Sequence, residues 1–370
     1  MTGSVYLGSS SFTAVLDTLG PGHTVVVVPT AANDLPDRRA IVEPVERAVD
    51  RTGATRVELD LAAADPTEVA ATLAVADAVL VGGGNPFLLL DAVIRSGFAD
   101  AVHDLLARGA TYAGQSAGAM VAGPTLEPLR MVAPFPEPPA SADLTGLRLT
   151  DVLVLAHTDR DGRRTRHEAA ISTHGRAVRM VALADGETLV VGPDRRWRIE
   201  IAGGRHLRPA RDTDAAEIAQ VFVDAGREGW KEFLSPDQLA KVRPEVGTWT
   251  QRIHASHDDD ITVAVDERGV AGFIWVRQAV DLDLTEPLGE VATFYTHPRV
   301  WGNGIGQRLM LRGLDRLRAM GYTECVLWTE ERNERPRRIY ASSGWVLDGA
   351  RRTRDFHGFP INELRHRLAL

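Results

Sequence analysis

The sequence predicts two consecutive α/β domains. Over the first 200 residues, short and nearly continuous apolar segments alternate with helical patterns, which is typical of a parallel sheet buried on both faces. The segment 202–205, Ala-Gly-Gly-Arg, then interrupts the pattern, and strands dominate the rest of the chain. At about 150 residues per domain, 370 residues suffice for two or three domains. We therefore expect a doubly wound, mostly parallel sheet in residues 1–203 and a mixed α/β domain in residues 206–370.

Apolar β-branched runs mark the strands of the first domain, and a helical period marks its helices. The predicted strands are Val5–Gly8, Thr24–Pro29, Arg56–Leu61, Ala78–Val81, Thr111–Ala113, Val152–Ala156 and Thr188–Val191. The predicted helices are Asp37–Thr52, Pro66–Val75, Pro86–Arg95 and Gly97–Arg108. Residues 133–139, Ala-Pro-Phe-Pro-Glu-Pro-Pro, suit neither a helix nor a central strand and predict an exposed loop.

The second domain shows the same two signals in a different order. After a strand that begins near Leu207, we predict two helices, then strands, and then a glycine loop that leads into a helix. The predicted helices are Asp214–Gly226, Pro236–Lys241, Gln307–Met320 and Arg335–Ser342. The predicted strands are Ile261–Val265, Val270–Val276, Glu290–Thr296, Glu324–Thr329 and further strands near the C-terminus.

Composition excludes several classes of protein. The chain has 42 Lys and Arg against 50 Asp and Glu, a formal net charge of -8, so we expect no nucleic-acid partner. Its apolar runs are too short to span a bilayer, and no signal peptide is visible, so we expect no membrane partner and a cytoplasmic location. The single cysteine, Cys325, allows neither an internal disulfide nor a cysteine-rich zinc site. We expect no metal, and a homo-oligomer is left open.

A candidate nucleophile follows the predicted strand Thr111–Ala113. Residues 114–118, Gly-Gln-Ser-Ala-Gly, match the G-x-S-x-G pattern and lead into a small-residue helix. In that context, a sharp strand-to-helix turn presents the Ser116 hydroxyl at the sheet edge. Residues 81–85, Val-Gly-Gly-Gly-Asn, follow another strand, so the backbone amides of Gly84 and Ala117 are predicted to form an oxyanion hole. The alternatives are a buried serine and a simple tight turn.

A candidate base lies at the carboxyl end of the strand Val152–Ala156, where ligands bind in open α/β sheets. This residue is His157, within Ala-His-Thr-Asp at 156–159.

Together with Gly82-Gly-Gly-Asn-Pro and Thr165-Arg-His-Glu168, these motifs resemble the peptidase E and cyanophycinase family over roughly residues 1–203. The resemblance implies serine hydrolases with a class I glutamine amidotransferase-like fold. It implies Ser116 as nucleophile, His157 as base and Arg166 as the residue that binds the side-chain carboxylate of an acidic substrate.

Two positions depart from that family. Peptidase E has its triad aspartate after the Gly-Pro-Thr segment, where this chain offers only Glu127. We therefore predict Glu127 as the triad acid, with Asp159 as the fallback. Gln115 also replaces an aromatic residue that is frequent in peptidase E, so substrate preference is expected to differ.

A second candidate site follows the strand that ends at Thr296. Glycines 302, 304 and 306 allow close backbone approach to a pyrophosphate, and the following helix offers free amides at its N-terminus. With Asn333, Tyr340 and Gly344-Trp345 downstream, this region resembles the GNAT acetyltransferase superfamily from about Leu207 onward. The resemblance implies acetyl-CoA as co-substrate. It implies that the loop residues bind acetyl-CoA: Trp301, Gly302, Asn303, Gly304, Ile305, Gly306 and Gln307.

The same resemblance assigns roles to three further residues. Asn333 would contact the CoA arm, and Tyr340 would protonate the departing thiolate. Glu290 is the candidate base, acting through a water molecule. The alternatives are structural: Tyr340 as an aromatic on a helix face, and Glu290 as a solvated strand end.

The sequence thus predicts a bifunctional enzyme. Its hydrolase would cleave an amide or peptide bond next to an aspartyl-like residue, and its N-acetyltransferase would act on a small amine. Joint detoxification of an aspartyl-nucleotide antibiotic is one hypothesis, and salvage of Asp-X dipeptides is another. In the alternative, the N-terminal domain is an inactive sensor that binds a small acidic ligand and regulates the acetyltransferase.

Overall fold

The computed structural model describes residues 2–201, 203–257, 259–281 and 283–370. It divides into two compact units, Met1–Gly203 and Gly204–Leu370. Ala202, in the predicted boundary segment, lies outside the described residues, as does Met1.

The first unit contains nine strands and seven α-helices among its described residues. The strands are β1 (Val5–Gly8), β2 (Thr24–Val28), β3 (Thr55–Glu58), β4 (Ala78–Val81), β5 (Thr111–Gln115), β6 (Val152–Ala156), β7 (Arg179–Leu183), β8 (Thr188–Val191) and β9 (Trp197–Ile201). The helices are α1 (Thr13–Leu16), α2 (Arg38–Asp50), α3 (Pro66–Ala74), α4 (Pro86–Arg95), α5 (Phe98–Ala107), α6 (Ala117–Val121) and α7 (Arg163–His174).

The main sheet of this unit has the strand order β9-β8-β1-β5-β4-β2-β3. The five strands from β1 to β3 in that order run parallel, while β8 and β9 are antiparallel additions. This arrangement confirms the predicted mostly parallel sheet. Because parallel strands end at one edge, the carboxyl ends of β1, β4 and β5 bring Ser9, Gly82–Gly84 and Ser116 to the same side.

Local sequence explains where two of the helices begin. The Asp65 carboxylate accepts hydrogen bonds from the Thr67 and Glu68 amides at the start of α3. Asn85 caps α4 in the same way, and Pro86 then occupies the first helical position. On one face of the sheet, apolar side chains of β2, β4 and β5 are almost completely buried, among them Val25, Val27, Ala78, Leu80 and Ala113. Apolar burial of this kind is worth about 25 cal/mol per Å².

Helix α7 and strand β7 are absent from the sequence prediction. Helix α7 reads Arg-Arg-Thr-Arg-His-Glu-Ala-Ala-Ile-Ser-Thr-His and buries only His167, Ala170 and Ile171, so its apolar period is hidden among charged residues. Strand β7 pairs in parallel with β6 in a separate two-stranded sheet. The strand that leads to His157 therefore does not belong to the main sheet.

The second unit contains seven strands and five α-helices among its described residues. The strands are β10 (Arg205–Pro209), β11 (Ile261–Asp266), β12 (Gly269–Gln278), β13 (Gly289–Thr296), β14 (Glu324–Glu330), β15 (Val346–Phe356) and β16 (Phe359–Ala369). The helices are α8 (Ala215–Gly229), α9 (Pro236–Leu239), α10 (Val246–Ala255), α11 (Ile305–Ala319) and α12 (Glu334–Ser342). The sequence prediction omits α10, which buries Trp249 against Phe273.

The sheet of the second unit opens between two of its strands. In the order β15-β16-β14-β13-β12-β11-β10, β13 and β14 are the parallel neighbours. They pair only at Gly289 with Cys325 and at Glu290 with Val326, although β13 continues to Thr296. Beyond this pairing the two strands are no longer hydrogen-bonded, which leaves room for a ligand between them.

Candidate active sites

The nucleophile turn lies between β5 and α6. Ser116 has φ 50° and ψ -107°, a conformation that is strained for a residue with a side chain. A Cβ added to Gly118 would lie 2.2 Å from the Val81 carbonyl oxygen, and one added to Gly114 would lie 2.3 Å from the Gly118 oxygen. The turn therefore requires both glycines of the motif, because the backbone segments on either side of Ser116 are in direct contact.

A three-residue hydrogen-bonded chain leads away from the nucleophile. Ser116 Oγ lies 2.9 Å from His157 Nε2, and His157 Nδ1 lies 2.6 Å from Asp185 Oδ1. His157 is buried and also has a positive φ of 66°, and its amide donates to Ser9 Oγ at 2.8 Å. Ser9 Oγ in turn donates to Asp185 Oδ1 at 3.0 Å. This is the geometry of a Ser-His-Asp triad.

The charges around the triad favour a neutral imidazole beside a carboxylate. Burial lowers the pKa of His157, the hydrogen bond to Asp185 opposes this shift, and the nearby Arg160 adds to it. Burial pushes the pKa of Asp185 upward, but hydrogen bonds from His157 and Arg160 hold it below its usual value. Arg160 Nε donates to Asp185 Oδ2 at 2.8 Å, so both carboxylate oxygens have a donor.

The structure contradicts Glu127 as the triad acid. Its carboxylate is half-exposed and pairs with Arg130 Nε at 2.9 Å within a short 3₁₀ helix. The fallback Asp159 accepts a hydrogen bond from the Asp185 amide at 2.9 Å, so it orients the loop of the acid. Sequence reasoning missed Asp185 because it follows β7, which was also missed. The turn Asp-Gly-Glu at 185–187, before the strand Thr188–Val191, is the signal that could have revealed it.

The glycine loop after β4 packs against the nucleophile, as the motif predicts. A Cβ added to Gly83 would lie 3.3 Å from Ser116 Cβ. Gly84 has φ 143°, and a Cβ added there would lie 2.0 Å from the Ala31 carbonyl oxygen. Ala117 is the first residue of α6, so its amide lies at the helix N-terminus beside Ser116. The predicted oxyanion donors Gly84 and Ala117 therefore belong to the two segments that flank the nucleophile.

Arginines are concentrated near the triad at the start of α7. Arg166, the predicted carboxylate ligand, is exposed, and its Nε donates to the Gly162 oxygen at 3.3 Å. Arg163 is half-buried, and its Nη1 donates to the Val132 oxygen at 3.3 Å. Arg164 instead pairs with Glu168 at 2.7 Å.

The second candidate site begins at the glycine loop before α11. Gly302 and Gly304 have φ values of 81° and 83°, which favour glycine. Asn303 Oδ1 accepts the Ile305 amide at 3.2 Å. Ile305 is buried and anchors the helix, whereas Gln307 is exposed. The loop thus exposes backbone at the N-terminus of a 15-residue helix, where an anion is favoured.

Three further features of this site suit the arm and phosphates of a CoA-type ligand. The Arg335 guanidinium lies 4.0 Å from the centroid of the Trp301 ring and adds positive charge beside the loop. The indole Nε1 of Trp301 donates to the Thr296 oxygen at 2.8 Å, which fixes the ring. Asn333 Oδ1 is buried and has no hydrogen-bond partner within the described part of the chain. An unpaired buried acceptor is costly, so it marks a place where a ligand donor would be stabilising.

The predicted acid and base lie on α12 and β13. The Tyr340 ring contacts the rings of Trp345 and His366, with centroids 6.1 and 5.7 Å away. Burial raises the pKa of Tyr340, so its phenol keeps its proton at neutral pH. Glu290 is buried where β13 leaves β14, and its Oε2 accepts a hydrogen bond from Arg277 Nε at 2.7 Å. Any proton that Glu290 takes must compete with this ion pair.

The described residues form neither a metal centre nor a membrane span. Within these residues, no group of three or more His, Cys, Asp or Glu side chains is arranged to hold a metal ion. No helix in this same part of the chain is long and apolar enough to cross a bilayer.

Comparisons with known proteins divide the chain in two. A model of Peptidase family S51 matches residues 6–196, and a model of the Acetyltransferase (GNAT) family matches residues 228–345. An uncharacterized peptidase of Pasteurella multocida is 31% identical over 134 residues, which are 36% of this chain and 64% of that protein. The aligned part is thus less than two thirds of that relative.

Two further comparisons are with a sequence relative and with a solved structure. A mycothiol acetyltransferase of Thermobifida fusca is 28% identical over 326 residues, 76% of this chain and 92% of that protein. A crystal structure from Listeria monocytogenes EGD-e, named for peptidase E, has a TM-score of 0.47 at 22% identity, covering 54% of this chain and 98% of that one. Both predicted resemblances are confirmed: the chain belongs to Peptidase family S51 and carries a C-terminal domain of the GNAT acetyltransferase family.

Proposed function

We propose that the protein is a bifunctional enzyme, a serine hydrolase joined to an acetyl-CoA-dependent N-acetyltransferase. The hydrolase cleaves an amide or peptide bond next to an aspartyl-like residue. The observation that carries the proposal is the chain of short contacts from Ser116 Oγ through His157 to Asp185, at 2.9 and 2.6 Å. A non-catalytic binding domain has no need for this alignment.

The triad geometry defines a sequence of proton movements. Asp185 fixes the tautomer with the proton on Nδ1 of His157, which leaves the Nε2 lone pair directed at Ser116. Ser116 Oγ attacks the substrate carbonyl carbon while Nε2 accepts its proton. The proton then passes to the nitrogen of the leaving amine as the C–N bond breaks. Water, deprotonated by the same Nε2, then releases the acid product from the serine ester.

The oxyanion of each tetrahedral intermediate lies between two backbone segments. The Ala117 amide comes from the N-terminus of α6, where the helix dipole also favours negative charge. The second donor comes from the loop that contains Gly83 and Gly84, which contacts the nucleophile. Removing one such donor in other serine hydrolases costs about 10²- to 10³-fold in kcat.

The preference for an acidic neighbour rests on charge at the start of α7. Arg160, Arg163 and Arg166 lie within seven residues, and the first two are close enough to His157 to lower its pKa further than burial alone does. Arg160 is engaged with Asp185, so Arg163 and Arg166 are the arginines that face a substrate carboxylate in this proposal. Arginine suits a carboxylate because its planar fork donates two parallel hydrogen bonds.

In the second domain, acetyl-CoA supplies an acetyl group activated as a thioester. The backbone of Gly302–Gly304 and the first turn of α11 bind the phosphates of acetyl-CoA. Asn333 Oδ1 accepts a hydrogen bond from a donor group in the arm of acetyl-CoA. Tyr340 keeps a proton for the departing sulfur. Glu290 receives the proton of the attacking amine through water. We propose a small amine as the acceptor, and the mycothiol acetyltransferase relative is a reason to test that enzyme's kind of acceptor as well.

The two activities also define a biological proposal. A hydrolase that cleaves an aspartyl amide, followed by a transferase that acetylates the exposed amine, would disarm an aspartyl-nucleotide antibiotic in two successive steps. Salvage of Asp-X dipeptides is the alternative for the same hydrolase. An aspartyl sulfamoyl-adenosine and a plain Asp-X dipeptide, compared as substrates, separate the two.

The decisive experiment incubates the full-length protein with Asp-X dipeptides and aspartyl amides, with and without acetyl-CoA, and identifies products by mass spectrometry. The variants Ser116→Ala and Tyr340→Phe are the matched controls for the two sites. We expect Ser116→Ala to abolish cleavage alone and Tyr340→Phe to impair acetyl transfer alone. Acetyl transfer without any cleavage by the wild type would instead favour the sensor function of the N-terminal domain.

A further inference from the structure

We infer that the acetyltransferase domain takes an acceptor amine that also carries a carboxylate, and that Arg252 is the residue that binds this carboxylate. The inference rests on the proposed acetyl transfer and names the class of its acceptor more closely than a small amine. Arg252 lies on α10 and is half-buried. Its guanidinium is held against two tryptophan rings, one from the same helix and one from β12.

These two rings fix the position of the cation without using its hydrogen-bond donors. Arg252 Cζ lies 4.6 Å from the centroid of the Trp249 ring and 5.0 Å from that of the Trp275 ring. Trp249 is buried and packs against Phe273, so the side chain rests on the core of the domain. Cation–π attraction acts through the charge and the ring face, and the N–H groups of the guanidinium remain able to donate.

Arg252 also differs from neighbouring arginines in having no carboxylate partner. Among the described residues, it forms neither a hydrogen bond nor an ion pair. The Nε of Arg277, by contrast, donates to Glu290 Oε2 at 2.7 Å. Arg354 pairs with Glu363 at 3.0 Å. The guanidinium of Arg252 is therefore the one of these three that is available to a ligand.

The surroundings of Arg252 would be stabilised by an added negative charge. Burial lowers the pKa of Arg252, and the exposed carboxylate of Glu245 opposes this shift. The positive charges of Arg277 and Arg354 lower the pKa further. Glu245 Oε1 lies 3.5 Å from His357 Nδ1, so this carboxylate is shared with a second group. A carboxylate on a ligand would offset the crowding of positive charge and accept two parallel hydrogen bonds from Arg252.

The predicted base lies on the same face of the sheet. Trp275 and Arg277 are two residues apart on β12, and Glu290 of β13 is the registered partner of Arg277. The Cζ atoms of Arg252 and Arg277 are each 5.0 Å from the centroid of the Trp275 ring, so they lie within twice that distance of each other. Because Arg277 in turn contacts Glu290, an amine whose proton passes to Glu290 is close enough to present its own carboxylate to Arg252.

The transfer leaves this carboxylate unchanged. The unprotonated amine attacks the thioester carbon, and the C–N bond forms as the C–S bond breaks. One amine proton passes to Glu290 through water, and Tyr340 supplies the proton of the departing thiol. Cleavage of an Asp-X dipeptide by the proposed hydrolase would release two amino acids, each with a free amine and a carboxylate. The products of the first proposed reaction therefore belong to the acceptor class of the second.

The test compares amino acids with their own amides as acetyl acceptors of the full-length protein. The pairs are aspartate with aspartic acid diamide and leucine with leucinamide, and the release of free CoA thiol gives kcat/KM. The ratio of kcat/KM for acid over amide is compared between variants, because the two amines of a pair differ in basicity. We expect Arg252→Met to lower this ratio roughly 10- to 100-fold, mainly by raising KM for the acid, as for the loss of charge-assisted hydrogen bonds. The KM for acetyl-CoA should not change.

Two further variants control for charge and for folding. Arg268→Met removes one positive charge from the exposed turn between β11 and β12, and it should change the ratio by less than about twofold. Arg252→Lys keeps the charge but loses the planar fork, so an intermediate ratio is expected. This variant also keeps the test decisive if Arg252→Met does not fold.

The inference and the proposed function fail in different ways. A ratio in Arg252→Met within about twofold of the wild-type ratio, or an equal fall in Arg268→Met, would overturn the inference. Transfer to the amides with none to the acids would also overturn it, while the proposed acetyltransferase function would stand. Calorimetry with acetyl-CoA reports the acetyl-CoA site separately. Binding of acetyl-CoA without transfer to any member of the pairs would contradict the proposed acetyltransferase function and the inference with it.

Discussion

Replacing Asp185 by asparagine should disable the hydrolase through the proton on His157. Arg160 Nε donates to Oδ2 at 2.8 Å, so the asparagine oxygen will occupy that position. The asparagine NH₂ then takes the place of Oδ1, which lies 2.6 Å from His157 Nδ1 in the wild type, and donates a hydrogen bond to Nδ1. The imidazole proton must move to Nε2, where it faces Ser116 and cannot accept the hydroxyl proton. In a serine protease this tautomer costs about 10⁴-fold in kcat, or about 5 kcal/mol of transition-state stabilisation.

The assay is kcat/KM for the best Asp-X substrate, together with the rate of fluorophosphonate labelling. Glu127→Gln, at the position favoured by sequence, is the matched control and should retain activity within about twofold, because its carboxylate lies at the surface. The double variant with Arg160→Met should recover part of the loss, since the asparagine amide is then free to flip. Asp185→Asn activity within about tenfold of wild type, with a large loss in Glu127→Gln, would refute the assignment.

Contacts in the two candidate sites support three further predictions. Arg160→Met should move the acid limb of the kcat/KM profile to higher pH. Burial is the main cause that lowers the pKa of His157, and the charge of Arg160 lowers it further, so removing Arg160 raises this pKa. Only the neutral imidazole accepts a proton, so activity then begins at a higher pH. Gly83→Ala should reduce kcat at least about tenfold with little change in stability to urea, because the new Cβ would lie 3.3 Å from the Cβ of Ser116. Gly84→Ala should instead destabilise the fold by about 2 kcal/mol or more, since its Cβ would lie 2.0 Å from the Ala31 carbonyl oxygen. Tyr340→Phe should lower kcat for acetyl transfer by about 10²-fold and leave KM for acetyl-CoA unchanged, measured by release of free thiol.

The strand ends and the glycine turns could be read from sequence because their signals are local. The strands Val5–Gly8, Ala78–Val81 and Val152–Ala156 lie where they were predicted, since each is a short apolar run. The G-x-S-x-G motif also fixes its own geometry, because two of its glycines are required by backbone contacts within a few ångströms. The parallel order of the strands then brings these turns to the same edge of the sheet.

The triad acid could not be read in this way because its position depends on contacts between distant segments. Asp185 is 28 residues from His157 and follows a strand that pairs with β6 rather than with the main sheet. Ser9 reaches the same carboxylate from the other end of the domain, 176 residues away. Helix α7 was hidden for a related reason: its charged residues obscure the apolar period, and its buried side chains include a histidine.

Backbone strain gives a reason to favour catalysis over sensing. Ser116 and His157, two non-glycine residues, both have positive φ, at 50° and 66°. Each such conformation costs about 1–3 kcal/mol and persists only where surrounding contacts impose it. At Ser116 the contacts are those of Gly114 and Gly118, and at His157 the amide is held by Ser9 Oγ. Binding a small acidic ligand would require only the arginines of α7, and relaxing the serine to glycine would then stabilise the fold. Catalysis explains why both strained residues are kept, because a proton must pass from Ser116 Oγ to His157 Nε2, which lie 2.9 Å apart.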